Sequence, residues 1–393
     1  MRVLFLSFYY TPDLCAGSFR AAALIQSLQP LLPAGSHIDV LTTMPNRYSS
    51  FSAAAPEVEE GETLSIRRIP LPSHKSGMRD QSRAFLAYAR GVRAHVRGRQ
   101  YDLIFATSSR LMTAVLGAYV ARGQKAPLYL DIRDIFVDTI RDVLPRGLAW
   151  PLGGAFSFLE RYAVGSASRV NLVSRGFGRY FQQRYPKQRF AFFPNGIDDE
   201  FIQPDPSEAS GATTPAMPYS VLYAGNLGEG QGMHAILPGL ARAMRGQARF
   251  TIIGDGGRKP QLKKTLEEVG ADNVDLLAPV NRTVLLQAYR EADVLFLHLN
   301  DYDAFRKVLP SKLFEYAAVG KPIWAGVAGF AAEFIEQEID NAGVFPPCDV
   351  AAAVKAFSTL KMQPTPRTDF VRKYARRNIM RSLAQDIVSI AHG

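Results

Sequence analysis

The segment Leu309–Gly326, LPSKLFEYAAVGKPIWAG, sets a lysine and a glutamate three residues apart between a proline and a glycine. Pro310 can open a helix and Gly320 can end it ahead of Lys321-Pro322 and a short apolar run. Ser311 and Lys312 then fall in the first turn, Leu313 follows, and Glu315 lies one turn on. A carboxylate so placed can accept hydrogen bonds from two vicinal hydroxyls, such as those of a ribose, and the lysine can pair with phosphate.

Three glycine-bearing turns are the other sites where chemistry could gather. Tyr9-Tyr10-Thr11-Pro12-Asp13-Leu14-Cys15-Ala16-Gly17-Ser18 leads from an apolar run into a helical pattern carrying Arg20. Gly225-Asn226-Leu227-Gly228-Glu229-Gly230-Gln231-Gly232 follows VLYA, and Gly254-Asp255-Gly256-Gly257 follows TIIG. In open parallel sheets ligands bind above the carboxyl ends of the strands, where glycine admits close backbone approach and helix N-termini present N–H groups to phosphate. Competing signatures are missing. No GxGxxG follows the first apolar run, whose next glycine is Gly17, and no Gly-Lys-Ser/Thr P-loop occurs. The six histidines show no HExxH spacing, which argues against zinc. Asp301-Tyr302-Asp303 is an Asp-x-Asp string ahead of the Pro-Ser-Lys helix and reads as a loop, not a magnesium site. Neither a metal nor a cofactor is expected.

These turns need a scaffold of strands and crossovers, and the chain supplies its rhythm. Apolar runs predict strands at Val3–Phe8, Ile38–Thr43, Ser65–Ile69, Leu103–Ala106, Leu128–Ile132 and Val170–Val173, with helices between them. After Asp198 comes FIQPDPSEASGATTPAMP, with no apolar periodicity. The rhythm then resumes at Ser220–Tyr223, Arg249–Ile253, Val274–Leu277, Val294–Leu297 and Pro322–Trp324. The expectation is an α/β chain of two doubly wound, Rossmann-like domains facing a cleft: residues 1–203, a linker over 204–218, and residues 219–369. A last helix over 370–393 would return to brace the first domain. The chain has 393 residues, 47% hydrophobic, and 46 Lys and Arg against 36 Asp and Glu, so two such cores are affordable. Two cysteines, Cys15 and Cys348, rule out a disulfide framework and fit a reducing compartment. The opening MRVLFLSFYY is too short for a signal-peptide core, and the uncharged run Gly147–Leu159 is 13 residues where about 20 would span a bilayer.

At this point the chain resembles retaining, nucleotide-sugar-dependent glycosyltransferases of the GT-B fold, in particular glycosyltransferase family four. YYTPDLCAGSFR, FFPNGID, YAGNLGEGQG, IIGDGGRKPQL and PSKLFEYAAVGKPI follow that family's motifs in order. The resemblance implies a donor site in the C-terminal domain, with Glu315 on the ribose and Leu277–Val280, including Pro279 and Val280, beside the base. Gly17, Asn226, Gly228, Gly254, Ser311, Lys312 and Leu313 would complete it. Ala16, Gly17 and Arg20 would serve the acceptor. Departures are visible. Lys307 stands where the family often has a second glutamate, and Asn226 and Gln231 replace its Arg and Lys phosphate clamp. Lys312, Arg306 and Arg258 are then the candidates for diphosphate charge. Where the family often has a histidine, PLYLDIRDIF places Asp131, Arg133 and Asp134, which with Lys312 are the expected catalytic groups. The Asp-Ile-Arg-Asp and Pro-Ser-Lys motifs resemble a subgroup building bacterial O-antigen, capsule and exopolysaccharide from UDP-sugars, often N-acetylated ones. The implied enzyme is a hexosyl- or N-acetylhexosaminyltransferase acting on a glycan or polyprenyl-linked acceptor. The alternatives are a GT-B nucleotide-sugar 2-epimerase and a non-catalytic nucleotide-sugar-binding subunit of a membrane assembly complex.

The net charge of +10 needs a partner or a purpose. Arg83 to Arg99 carries five arginines and no acid, with Phe85, Leu86, Tyr88, Val92 and Val96 at helical intervals and Trp150, Phe156 and Phe158 later in sequence. Such a face suits an anionic membrane surface, while no nucleic-acid module accompanies it. A cytoplasmic protein peripheral to the inner face of the plasma membrane is the corresponding expectation.

Overall fold

The computed structural model describes residues 1–13, 15–46, 54–72, 78–108, 111–137, 146–202 and 216–391; the side chains of 78–79 and 146–152 are not described. The expected linker over 204–218 therefore falls almost wholly outside the described residues, as does the side chain of Trp150. The chain divides into two compact units, residues 1–195 with 377–393, and residues 196–376.

The first unit holds β1 (Arg2–Leu6), β2 (His37–Thr43), β3 (Val58–Glu60), β4 (Leu64–Ile69), β5 (Leu103–Ser108), β6 (Leu128–Ile132), β7 (Arg169–Leu172) and β8 (Phe190–Ala191). They form one sheet in the order β3-β4-β2-β1-β5-β6-β7-β8, parallel except for β3. Its helices are α1 (Ala16–Leu28), α2 (Met78–Val96), α3 (Leu111–Gln124), α4 (Arg146–Gly165) and α5 (Gly178–Arg184). The second unit holds β9 (Tyr219–Asn226), β10 (Ala248–Asp255), β11 (Val274–Leu277), β12 (Val294–His298), β13 (Ile323–Gly326) and β14 (Ala342–Phe345), all parallel in the order β11-β10-β9-β12-β13-β14. Its helices are α6 (Met233–Ala243), α7 (Lys259–Glu268), α8 (Arg282–Glu291), α9 (Lys312–Val319), α10 (Phe330–Glu338), α11 (Val350–Phe357) and α12 (Thr368–Tyr374).

The central strands read as continuous apolar runs because both faces of each sheet are covered. In β9, Leu222 and Ala224 join Leu295 and Ile323 in one core, while Val221 and Tyr223 join Phe296 and Trp324 in the other. Alternate residues thus feed opposite layers.

The last helical segment departs from the expected single helix over 370–393. Tyr374 O accepts from Ile197 N at 2.8 Å, and Arg376 N donates to Ile197 O at 2.7 Å, so the chain is pinned at Ala375 and the helix breaks there. α12 stays with the second unit, and α13 (Arg376–Ser389) belongs from residue 377 to the first. There Met380, Leu383, Ala384 and Ile387 are buried, and Asp386 accepts from Tyr129 Oη at 2.7 Å and pairs with Arg169. The return of the C-terminal helix to the first domain is confirmed. The observed division, at 195/196 and 376/377, lies before the expected 203 and after the expected 369 because the Ile197 pairing ties both crossings to the second unit.

Candidate functional site

In the second unit the site is built at the carboxyl ends of β9 and β10. Gly254 pairs in register with Gly225 and Asp255 with Asn226, and a Cβ on Gly254 would lie 1.9 Å from the Gly225 carbonyl oxygen. Gly225 has φ +149° and a Cβ there would stand 2.0 Å from Lys312 Nζ. The glycines therefore let α9 bring its first lysine down onto the strand ends. Lys312 Nζ also lies 5.8 Å from the centre of the Tyr223 ring.

Glu315 sits one turn further along α9, where its Oε2 accepts from Tyr289 Oη at 3.2 Å. Burial pushes its carboxyl up, and the nearby Arg282 and Lys312 charges pull against that. Arg282 pairs with Asp198 and Glu200 and covers the Phe201 ring at 4.9 Å, while Asp198 also forms an ion pair with Arg376, whose Nε lies 2.6 Å away. The carboxylate of Glu315 thus lies beside an ion-pair cluster drawn from three distant stretches of chain. Leu313 is fully buried in the core and offers a ligand only backbone, whereas Ser311 is half-buried just before the helix and makes no side-chain cap bond.

The loop after β9 is internally satisfied. Asn226 Nδ2 donates to Gln231 Oε1 at 2.7 Å, and Gly228 is packed so closely that a Cβ would lie 2.5 Å from Asn226 Nδ2. Glu229 accepts from Tyr302 Oη at 2.6 Å and from Arg258, bonds that hold its carboxyl down against the opposing effect of burial. His298 is buried, accepts from Cys348 N at Nε2 at 3.0 Å and meets Gln231 O through Nδ1 at 2.7 Å. Burial pushes its pKa down to about 4, so it stays neutral and serves as a pin for the loop. Lys259, at the start of α7, donates from Nζ to Gly254 O at 2.7 Å and to Leu277 O at 3.1 Å, tying the ends of β10 and β11 together. Pro279 and Val280 follow β11, both half-buried, with Val280 packed on the core.

The first unit gathers a second set of groups at the ends of β1 and β6. Arg20 and Asp131 are both almost wholly buried and pair through Nε and Nη2 at 3.0 and 2.9 Å. Arg20 also donates to Pro194 O at 2.5 Å and Phe193 O at 3.0 Å, and Asn171 Nδ2 reaches Asp131 at 2.7 Å. Burial alone would raise the Asp131 carboxyl; Arg20 overrides it and holds it low. Beside them a Cβ on Gly17 would lie 3.8 Å from Arg133 Nε, so this guanidinium flanks the start of α1. Asp134 is exposed, and Ala16 is half-buried at the helix start.

Residues 20–196 match the family described as a glycosyl transferase 4-like domain, and residues 208–378 match glycosyl transferases group 1. The chain belongs to the GT-B glycosyltransferases of the family-four type. This glycosyltransferase is 27% identical over 308 residues to a protein of Escherichia coli named as a colanic acid biosynthesis glycosyl transferase, WcaI, covering 72% of this chain and 71% of that one. Its fold is shared with the sucrose-phosphate synthase of Thermosynechococcus elongatus, at TM-score 0.69 and 16% identity over 99% of this chain and 96% of that one. It is likewise shared with Anabaena HepE in complex with UDP, at TM-score 0.63 and 17% identity over 99% and 100% of the two chains.

Within the glycosyltransferase the expected residues fall into two groups. Gly225, Gly254, Lys312 and Glu315 converge at one set of strand ends. Arg258 is instead engaged by Glu229 and by Gln261 at 2.8 Å, and Arg306 by Asp301 at 3.1 Å and Asp303 at 3.6 Å; both arginines are half-exposed. Arg20 and Asp131 are buried and bonded to one another, to Asn171 and to backbone carbonyls, an arrangement that fixes both side chains in place. Arg282, Tyr289 and Asn171 join the sites without a sequence signal, because each is recruited by a partner far away in the chain, and Lys259 joins them through the carbonyls of two strand ends. No helix among the described residues is long and apolar enough to cross a membrane.

Proposed function

We propose that this glycosyltransferase moves a sugar, with retention, from a UDP-type nucleotide sugar to a glycan or lipid-linked acceptor during assembly of a bacterial surface polysaccharide. The observation that carries this reading is the pair Lys312 and Glu315 on one short helix: an ammonium seated on glycine strand ends beside a partly buried carboxylate. Glu315 accepts from the ribose hydroxyls. Lys312 and the N-terminal end of α9 neutralise the diphosphate as it leaves, which is the charge that develops in the transition state. Arg133 and Asp134 act on the acceptor side, held by the Arg20–Asp131 pair. The UDP bound by Anabaena HepE and the colanic acid role in WcaI's name support this donor and this class of product. An N-acetylated hexose is the favoured sugar, on the resemblance of the Pro-Ser-Lys motif.

The membrane is the second partner. Arg83, Leu86, Arg90 and Arg93 form one exposed stripe of α2, Arg97 is exposed just past its end, and Arg93 lies 5.6 Å from the ring of Tyr119 on α3. Tyr119 is 51% exposed, Leu86 53% and Phe158 on α4 71%. Exposed apolar side chains among arginines suit the headgroup region of an anionic leaflet at the inner face of the plasma membrane.

The test is a donor screen by thermal shift followed by product analysis. A ligand at 100 times its dissociation constant adds about 2.7 kcal/mol of stability. UDP and UDP-sugars should raise the melting temperature, and an acceptor should then yield a product of retained anomeric configuration. Donor hydrolysis or epimerisation without transfer would favour a 2-epimerase, and binding with no turnover would favour a non-catalytic subunit.

A further inference from the structure

We infer that the first unit carries a further ligand site at the amino ends of its strands, built for a small phosphate ester bearing hydroxyl groups. The site is the junction of two cavities. One, of about 600 Å³, opens where β1, β2 and β4 begin, with Arg2, His37, Asp39 and Ser65 in its wall. The other, of about 490 Å³, runs between β4 and the last turns of α2, with Gly91, Ala94 and Arg97 in its wall. Val58, Arg67, His95 and Arg99 line both. The register accounts for the placement: Asp39 lies opposite Ser65, Leu41 opposite Arg67 and Val58 opposite Arg67 on its other side, so these alternate positions share one face of the sheet. α2 ends at Val96, and His95 and Arg99 reach over that face from its end.

The acids of the floor are already matched. Asp39 accepts from Arg2 Nε at 2.9 Å and from Tyr101 Oη at 2.7 Å, and Asp102 accepts from Arg2 N at 2.7 Å. Arg67 is not matched. It is half-buried on a strand, its Nε is closed off from solvent without a hydrogen-bond partner, and no acid pairs with its side chain among the described residues. Arg99 leans on His95, with Nη1 2.5 Å from His95 Nε2, and Asp39 stands 3.9 Å from it with its oxygens bonded elsewhere. The carboxyl end of α2 contributes about half a negative charge, which Arg97 and Arg99 more than offset. The wall common to both cavities therefore holds two guanidiniums and an imidazole and no acid. Glu60 in the first cavity and Glu57 in the second stand exposed at the rims and pair with no base among the described residues.

This arrangement selects the ligand. A guanidinium with an empty donor is costly, and an oxyanion satisfies it with parallel N–H···O bonds. A phosphate has three oxygens to share among Arg67, Arg99 and His95, where a carboxylate has two. Glu57, Glu60 and Ser65 accept hydrogen bonds from hydroxyls, and the two glutamates repel a second anionic group, which disfavours nucleoside di- and triphosphates. A sugar or glycerol phosphate meets both conditions, whether free or as a lipid headgroup. The five residues of β1 span about 17 Å, so this ligand lies at the far end of that strand from Gly17 and acts as an effector, not a reactant. The inference therefore does not depend on the donor and acceptor assignments.

The experiment titrates the full chain calorimetrically with glucose 6-phosphate, glycerol 3-phosphate and glucose, in the absence and presence of UDP. Wild type should bind the two esters and not glucose, and UDP should leave the ester affinities unchanged. R67Q should weaken the esters by about 30-fold, the loss of one charge-assisted pair, and R67K should recover part of that. Circular dichroism confirms that each variant is folded, and hydrogen exchange with bound ester should protect residues 57–67 and 91–99. A second arm sediments the same variants with phosphatidylglycerol vesicles, whose headgroup carries the same phosphate and hydroxyls. If the soluble esters fail to bind and R67Q weakens vesicle binding at least tenfold, the ligand is the headgroup and the site stands. Ester and vesicle binding both unaltered in R67Q overturn the inference, as does binding of neither by wild type. Displacement of the ester by UDP, protection confined to other segments, or glucose bound as tightly as its phosphate overturns it equally.

Discussion

Lys312 Nζ occupies the space that a side chain on Gly225 would fill, 2.0 Å from the Cβ position. One residue lies on a helix and the other on a strand, and the absence of a methyl group is what lets the ammonium reach the strand ends. Gly225→Ala should therefore do two things. It should displace Lys312, lowering affinity for UDP at least tenfold, and at φ +149° it should cost about 1–3 kcal/mol of stability because L-residues rarely adopt that backbone. Titration with UDP and a urea melt read the two effects. Unaltered UDP affinity would show that the ammonium has no part in donor binding.

Glu315 should trade stability for activity. Burial pushes its carboxyl above the ordinary range, so the folded state holds this proton more tightly than the unfolded chain does. The sign follows from linkage: as pH rises from the unfolded value through the raised folded one, the ionising carboxylate costs the native state stability. Glu315→Gln should then melt at a higher temperature than wild type at pH 7 and at nearly the same temperature at pH 4. Transfer should fall by about 100-fold, the worth of two hydrogen bonds to a charged group. A variant that is less stable at pH 7 yet fully active would show that the carboxylate serves the fold and not the ribose.

How far this arrangement is legible in sequence depends on the range of the interactions. Gly225, Lys312, Glu315 and Gly320 announce themselves because a glycine turn and a capped helix are local, and the parallel strands do so because both faces are apolar. β3 is exposed throughout and antiparallel, so it has no apolar pattern to read. Arg282 looks like any surface arginine, and its bond to Asp198 joins residues 84 apart. Arg20 and Asp131 are visible as residue types at strand ends, but only burial reveals that they satisfy each other. Motif order therefore gave the family, while the mutual burial of Arg20 and Asp131 rests on a contact across 111 residues that no motif announces.

That contact makes its own prediction. Arg20→Ala leaves Asp131 buried without its ion-pair partner and should cost about 3–5 kcal/mol, a loss visible as a lower urea midpoint before any assay of transfer. Adding Asp131→Asn should recover part of it by removing the unpaired charge. An Arg20→Ala protein as stable as wild type, but with a raised acceptor KM, would return Arg20 to direct acceptor binding.

Transfer should persist in EDTA. Asp301 and Asp303, the candidate carboxylates for a divalent ion, both pair with Arg306, and Lys312 with the start of α9 can take the diphosphate charge in a metal's place. Initial rates with and without EDTA, then with Mg²⁺ or Mn²⁺ restored, make the check. Complete loss with the chelator and full recovery with the metal would assign the two aspartates to a cation.

The protein should bind liposomes containing anionic lipid and leave them as salt rises. Each basic residue near such a surface contributes about 1 kcal/mol, and the attraction decays within a Debye length of about 8 Å at physiological salt. Arg90 and Arg93 share one exposed face of α2 with Leu86 and Arg97 is exposed just past its end, so the arginines bring the protein to the surface and the leucine, with Phe158, has apolar area to insert. Replacing the three arginines with glutamine should cut binding to anionic vesicles at least tenfold, while UDP affinity stays at the wild-type value. Leu86→Ser with Phe158→Ser should weaken binding in a way that salt does not reproduce, since it removes apolar contact and leaves charge intact. Sedimentation with vesicles of graded anionic content separates the two contributions. Binding that ignores both salt and the arginine changes would mean that this face is an ordinary solvated surface and that the acceptor is met in solution.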